Sequence, residues 1–369
     1  MKIPFLNLSA THQPMKMEMM NAFEKVYDSN WFVLGEQVNA FESNYAAFNQ
    51  VNHVVAVSNG LDALHIALKT LNIGPGDEVI IPSNTFIATV LAVSYVGATP
   101  IFVEPNISTY NIDPSKIELA ITSKTKAIMP VHLYGQACEM TEIMRIAEKY
   151  NLKVIEDNAQ AQGAFFNDKI TGSFGHINGT SFYPGKNLGA LGDAGGLTTN
   201  DLLLAKKAKV LSNYGTRIKY VNDEIGFNMR MDECQAAFLN VKLNYLSTWI
   251  KQRQQIATWY NLHLSNIEGL ILPIVAQHAT HTYHLYVVRT EKRNELMNFL
   301  TSHEIGTLIH YPIPPHLQNA YSNLCFTKGD FPISEEIADT CLSLPIWPGM
   351  KEDQVEYIAK SIKQFFHIN

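Results

Sequence analysis

Short apolar runs punctuate the first two thirds of the chain, each followed by a stretch whose apolar residues recur at helical spacing. Val54-Val55-Ala56-Val57 reads as a strand, and a helical pattern runs from Asp62 to Thr70. Glu78-Val79-Ile80-Ile81-Pro82 is the next strand, with a helix predicted over Thr85 to Val96. Pro100-Ile101-Phe102-Val103, Ala127-Ile128-Met129-Pro130-Val131 and Lys153-Val154-Ile155-Glu156-Asp157 predict three more strands, the last preceded by a helix over Met140 to Tyr150. These strands are apolar throughout instead of alternating, as strands buried on both faces are. The βα alternation therefore predicts an α/β fold whose large, mostly parallel sheet carries helices on both faces.

The pattern changes at Asp232, where an uninterrupted helical stretch runs to about Ser265. Beyond it, Tyr283 to Arg289 and Thr307 to His310 read as strands, and Glu335 to Leu342 and Asp353 to Phe366 as helices. This predicts a smaller C-terminal α+β domain over 246–369, packed against a large domain over 1–245, since no repeat or low-complexity linker separates them. With 46% hydrophobic residues there is ample material for both cores. Charged residues are only 17%, low for a globular chain, which suggests that a second subunit covers part of the surface. A net charge of -6 argues against a nucleic-acid partner, because neutralising phosphates takes clustered Lys and Arg. Cys138, Cys234, Cys325 and Cys341 are scattered, with no CxxC pair, so neither a metal site nor a redox motif is expected. Free thiols, a polar N-terminus and no apolar run near the ~20 residues that span a bilayer fit a cytoplasmic protein without a membrane partner.

Three segments carry candidate chemistry. Ser58-Asn59-Gly60-Leu61-Asp62 follows a strand and opens a helix. It is either an ordinary βα turn or a phosphate cup built from free N–H groups and the helix dipole. In Val154-Ile155-Glu156-Asp157-Asn158-Ala159-Gln160 two acids close an apolar strand, at the sheet edge where α/β folds bind ligands. Asp157 either caps loose N–H groups or pairs with a protonated ring nitrogen. The third segment is Thr180-Ser181-Phe182-Tyr183-Pro184-Gly185-Lys186-Asn187-Leu188-Gly189. Lys186 stands there on a small-residue loop, and a lysine partly withdrawn from water is neutral often enough to attack a carbonyl. Neither G-x-x-x-x-G-K-[ST] nor G-x-G-x-x-G occurs, which weakens a P-loop or a nicotinamide-dinucleotide dehydrogenase reading.

In this order, on one sheet, the three segments resemble the DegT/StrS family of sugar aminotransferases. The resemblance covers essentially the whole chain, from Ile3-Pro4-Phe5-Leu6-Asn7-Leu8 and Trp31-Phe32-Val33-Leu34-Gly35 to His310-Tyr311-Pro312. It implies the aspartate-aminotransferase-like fold (PLP fold type I), with pyridoxal 5'-phosphate as cofactor. Lys186 matches the lysine that bonds the cofactor and shuttles its proton, and Asp157 the acid on the ring nitrogen. Gln160 matches the side chain near the ring's phenolic oxygen, Phe86 the aromatic stacked on the ring, and Gly60, Leu61 and Ser181 the phosphate cup. Asn228, in Gly226-Phe227-Asn228-Met229-Arg230, matches a residue reaching the phosphate from a neighbouring subunit, which implies a homodimer with shared active sites. His310, Tyr311 and His316 match the sugar-binding segment, and Tyr183, Tyr214 and Lys219 are further candidates for the substrate cavity. Three positions depart from the family pattern: Asn158 and Gln162 stand in place of Ala and His, and Thr180 in place of an aromatic residue or glycine.

The segments quoted look closest to the subgroup that aminates C3 of dTDP-3-keto-6-deoxyhexoses. The implied product is a dTDP-3-amino-3,6-dideoxyhexose for a surface polysaccharide such as O-antigen, with glutamate as amino donor. Amination at C4 is the nearest alternative; a non-catalytic regulator sensing a sugar nucleotide is a more distant one.

Overall fold

The structure is a computed structural model and describes residues 1–367. Seven strands form the main sheet: β1 (His53–Val57), β2 (Glu78–Pro82), β3 (Thr99–Val103), β4 (Thr125–Ile128), β5 (Lys153–Val154), β6 (Asn178–Ser181) and β7 (Gly195–Thr199). Their order is β3-β2-β4-β5, continued through a parallel bridge between Asp157 and Gly179 into β6-β7-β1. Pairing is parallel among β2, β3, β4 and β5, and only β7 runs against both its neighbours.

Strand periodicity divides the core in two. Val79 and Ile81 pack with Ala63, Leu64, Ala205 and Leu211, whereas Ile80 packs with Ile128, Ile143 and Ile146 on the other side. Both faces are therefore apolar, as the unalternating strands require. Each aliphatic side chain buried in this way contributes on the order of 1.5–3 kcal/mol.

The same alternation, continued past β5 through the isolated bridges of Asp157 to Val131 and Gly179, separates the two acids Glu156 and Asp157. Glu156 turns into the protein, where its carboxylate accepts from the N–H groups of Gly172 (2.7 Å), Phe174 (2.7 Å) and Gly175 (2.8 Å) and meets His132 Nε2 at 2.9 Å. This carboxylate pins the 172–175 turn under the sheet, and Asp157 faces the opposite way.

Two strands escaped the apolar-run pattern. Asn178-Gly179-Thr180-Ser181 and Gly195-Gly196-Leu197-Thr198-Thr199 read as loop because glycines and hydroxyl residues fill them. Packing explains the glycine at 179, where a Cβ would lie 2.7 Å from Leu64 Cδ2. Before β1 a short helical turn over Ser9–His12 is followed by two longer helices, α1 (Lys16–Ser29) and α2 (Glu36–Phe48).

The expected all-helical stretch is one helix of 32 residues, α3 (Glu233–Leu264). Leu239 and Leu246 pack with Phe41 and Phe182 beside the main sheet; Ile256, Tyr260 and Leu264 belong to the core of the C-terminal part. Residue 245 lies inside this helix. In the C-terminal part β8 (Tyr286–Arg289) pairs antiparallel with β9 (Cys341–Leu344), and Leu308 joins by a single bridge to Ser343. The helix expected over 335–342 runs over Pro332–Thr340 instead, because residues from Cys341 onward are wholly buried and are drawn into β9. Ile3, at the opposite end of the chain, is bridged to Ile305 and buried in the same core.

Replacing Glu156 by Gln turns one acceptor oxygen into a donor facing N–H groups. We expect Glu156→Gln to lose about 3 kcal/mol of stability in a urea titration, since a buried donor left unpaired costs roughly 1–3 kcal/mol. An unchanged midpoint would show that these bonds do not hold the turn.

Candidate active site

After β1 the chain turns through Ser58-Asn59 into the helix Gly60–Thr70. Asn59 Oδ1 accepts the Asp62 N–H at 2.8 Å, which caps the helix. The N–H groups of Gly60 and Leu61, lying in the first turn, have no partner among the described residues. A Cβ on Gly60 would lie 2.6 Å from Ser181 Cβ, so only glycine lets the end of β6 approach this helix start. Two free donors, the helix dipole and a serine hydroxyl thus meet in one place, which suits an anion.

Asp157 is 5% exposed at the carboxyl end of the sheet. Its Oδ2 accepts from the Thr89 hydroxyl at 2.8 Å and its Oδ1 from the Ala159 N–H at 3.1 Å. A carboxylate has about four acceptor positions, so capacity remains for a further donor. Burial pushes its carboxyl above the usual range; the two hydrogen bonds and the Lys186 charge pull it back. The resemblance did not single out Thr89. It lies in the first turn of the helix Ile87–Tyr95, which Phe86 immediately precedes in extended conformation. Phe86 itself is 48% exposed, not the core phenylalanine that its residue type suggests.

The loop carrying Lys186 is fixed from several sides. The Lys186 N–H donates to Tyr183 O at 2.8 Å, and a Cβ at Gly189 would lie 2.4 Å from the Pro184 carbonyl oxygen. Gln162, one of the departures, spans the loop: its Nε2 donates to Ser181 O at 2.7 Å and its Oε1 accepts the Leu188 N–H at 3.1 Å. Asn158 donates to Thr171 O at 3.2 Å and Thr180 to Asn158 O at 3.3 Å, so all three departures hold structure near Asp157. Burial pulls the Lys186 amine down to about 8, with Asp157 as the opposing influence.

Gln160 joins the two parts of the molecule. Its Oε1 accepts the Tyr134 N–H at 2.6 Å, and its Nε2 donates to the Tyr311 hydroxyl at 3.0 Å. The Tyr311 ring lies 5.0 Å from that of Phe86. His310, next along the chain, holds Ser343 Oγ at 2.8 Å through Nδ1, and its carbonyl accepts from the Tyr134 hydroxyl. Burial and the nearby Lys186 charge pull its imidazole down to about 4, so it is neutral at physiological pH. His284 was not singled out from the sequence, yet burial and then Lys186 hold it well below the usual histidine range.

Other expected residues stand apart. Tyr183 is 58% exposed. Tyr214 and Asn228 are tied to each other through the Asn213–Asn228 bridge and the Tyr214 N–H to Phe227 O bond, and Lys219 lies on the exposed hairpin between them. No hydrogen bond or ring contact links these three to Lys186 or Asp157 among the described residues. His316 is a correction. Its side chain is wholly buried, it pairs with Glu335 Oε1 at 3.0 Å and it packs 4.7 Å from the Phe331 ring. It braces its own loop instead of lining a cavity.

Because Asp157 alone holds the Lys186 amine up against burial, Asp157→Asn is expected to lower its pKa below about 8. Competitive amine labelling across pH, read on the Lys186 peptide by mass spectrometry, checks the sign. An unchanged or higher value in the variant contradicts the pairing.

Residues 13–363 match the DegT/DnrJ/EryC1/StrS aminotransferase family. The chain is 50% identical to the dTDP-3-amino-3,6-dideoxy-alpha-D-galactopyranose transaminase of Aneurinibacillus thermoaerophilus, covering 98% of this chain and 99% of that one. It is 42% identical to a pleiotropic regulatory protein of Geobacillus stearothermophilus, over 99% of each. The crystal structure of S. venezuelae DesV in complex with a ketimine intermediate superposes with a TM-score of 0.98 at 41% identity, covering 100% of this chain and 99% of that one. The chain belongs to the DegT/DnrJ/EryC1/StrS aminotransferase family.

Proposed function

We propose that the protein is a pyridoxal-phosphate-dependent aminotransferase that converts a dTDP-3-keto-6-deoxyhexose to the dTDP-3-amino-3,6-dideoxyhexose, with glutamate as donor. The observation that carries this reading is the set of groups at the carboxyl end of the sheet: a buried Asp157 carboxylate held by Thr89 and Ala159 with acceptor capacity to spare, and the free N–H groups of Gly60 and Leu61 beside Ser181. Similarity to a transaminase named for a 3-amino-3,6-dideoxy sugar supports the choice of C3.

The residues fit the cofactor. Gly60 leaves a cradle that a Cβ would fill, and the N–H groups of Gly60 and Leu61 with the Ser181 hydroxyl suit its phosphate. Phe86 offers an exposed ring face to the pyridine, Gln160 an amide to its phenolic oxygen, and Asp157 spare acceptor capacity to its nitrogen. When bound, the cofactor supplies an electron sink that no side chain provides. Asp157, oriented by Thr89, keeps the facing nitrogen protonated. Lys186 Nζ removes the α-proton of glutamate and later returns a proton to the sugar carbon that receives nitrogen. An amine near 8 suits both tasks, since proton transfer is most efficient when the pKa lies close to the working pH. The neutral His310 and Tyr311 line the sugar side without adding charge.

The protein acts, on this reading, as a homodimer with shared sites, its cavity lying where a large domain over 1–245 meets a small one over 246–369. Ile218, Tyr220 and Ile225 expose 70%, 88% and 92% of themselves on the hairpin that precedes Asn228, the kind of surface a second subunit covers. Tyr214 and Lys219 share that hairpin, so they serve the neighbour's cavity together with Asn228, with Lys219 near the pyrophosphate. Similarity to a named regulatory protein favours a second reading, a sugar-nucleotide sensor.

Lys186→Ala is expected to cut turnover by roughly 10³-fold or more while circular dichroism stays that of the wild type. Full activity in this variant refutes the mechanism. Wild type that turns over none of a panel of dTDP-keto-sugars with glutamate favours the sensor, and NMR of any product separates C3 from C4 amination. Mixing inactive Lys186→Ala and Asn228→Ala chains should restore about a quarter of the activity, because half of the dimers then carry one intact shared site. No recovery means that each chain builds its own site.

A further inference from the structure

Behind the Lys186 loop lies a cavity of about 20 Å³, room for a single water-sized body. Asn7 and His12 of the N-terminal segment, Lys186 and Gly189 of the loop, and Lys242 and Arg253 of α3 bound it. Lys242 is 2% exposed; two of its three N–H donors go to Gly189 O at 2.6 Å and His12 Nε2 at 2.9 Å. Arg253 is 3% exposed and gives Nη1 to the carbonyls of Tyr283 (3.1 Å), His284 (3.3 Å) and Ile346 (3.2 Å), while its Nε–H has no partner among the described residues.

No carboxylate lines this cavity, and neither cation forms an ion pair among the described residues. Carbonyl dipoles offset only part of a full charge, and buried charges are ordinarily paired. Burial alone pulls Lys242 down to about 8 and Arg253 to about 10, with no negative group opposing it. Donors outnumber acceptors among the side chains offered: the third Lys242 N–H, the Arg253 Nε–H, the Asn7 amide and, with its Nε2 accepting from Lys242, His12 Nδ1–H, against one unpartnered acceptor, Asn187 Oδ1.

We infer that this cavity binds a small monovalent anion of chloride size between Lys242 and Arg253. The anion ties the N-terminal segment, the Lys186 loop and α3 together. This does not depend on which sugar the enzyme aminates.

Wild-type crystals soaked in sodium bromide, with data collected at the bromine absorption edge, should show an anomalous peak in contact with Lys242 Nζ. A peak elsewhere only, or ordinary water density at that position, overturns the site. In solution, replacing chloride by gluconate at constant ionic strength should lower the thermal midpoint by about 2 °C or more, since a ligand of the native state alone stabilises it. Lys242→Met should lose that difference. Equal midpoints of the wild type in the two salts, or an undiminished difference in Lys242→Met, count against the inference.

Discussion

The rest of the site is organised around one electrostatic balance, struck between the Lys186 amine and the Asp157 carboxylate at the edge of the sheet. Burial penalises both charged forms, lowering the amine and raising the acid, while each charge stabilises the other. A lysine that falls from 10.5 to about 8 has lost roughly 3 kcal/mol of preference for its charged form. Near neutral pH it is therefore deprotonated part of the time, as the proposed mechanism requires. Less burial would leave the amine permanently charged, and more would neutralise the acid. The contacts that fix these two groups, Thr89 on the carboxylate and Gln162 across the loop, hold the balance where chemistry needs it.

The fold supplies the geometry through strand periodicity. Glu156 and Asp157 are chemically alike and adjacent, yet alternation sends one into a cage of N–H groups and leaves the other at the cavity. Glu156 therefore holds the floor on which Asp157 stands. Gln160 extends the arrangement across the molecule. By joining Tyr134 to Tyr311 it couples the residues after β4 to the segment that follows Leu308.

Legibility in the sequence followed burial. β2 was read to its ends, and its parallel neighbours to within a few residues, because both their faces are apolar. β6 and β7 were invisible: a sheet position pressed against Leu64 needs glycine, and glycine in a sequence reads as turn. Lys186, Asp157 and Gly60 were suggestive because strand ends and glycine turns are local signals, though each alone left a plainer reading open. Thr89 and His284 carried no such signal, since their importance lies in partners far along the chain. His316 misled for the opposite reason. A histidine among prolines looked available, and only the packing of Phe331 and Glu335 around it shows that it is not.

The hairpin over 213–228 presents the remaining structural problem, which energetics resolves. Side chains as apolar as Ile218, Tyr220 and Ile225 gain nothing in water, and each gives up about 25 cal/mol for every Å² left exposed. Tyr214 keeps the Arg230 guanidinium 5.2 Å above its ring, and Asn222 bonds Tyr214 O at 2.7 Å, so the hairpin is held in shape with its apolar residues outward. A shape maintained at that cost is what the proposed homodimer would use as its contact surface. If a second subunit covers it, as proposed above, Asn228 at its base would make covering the hairpin and completing the phosphate cup a single event.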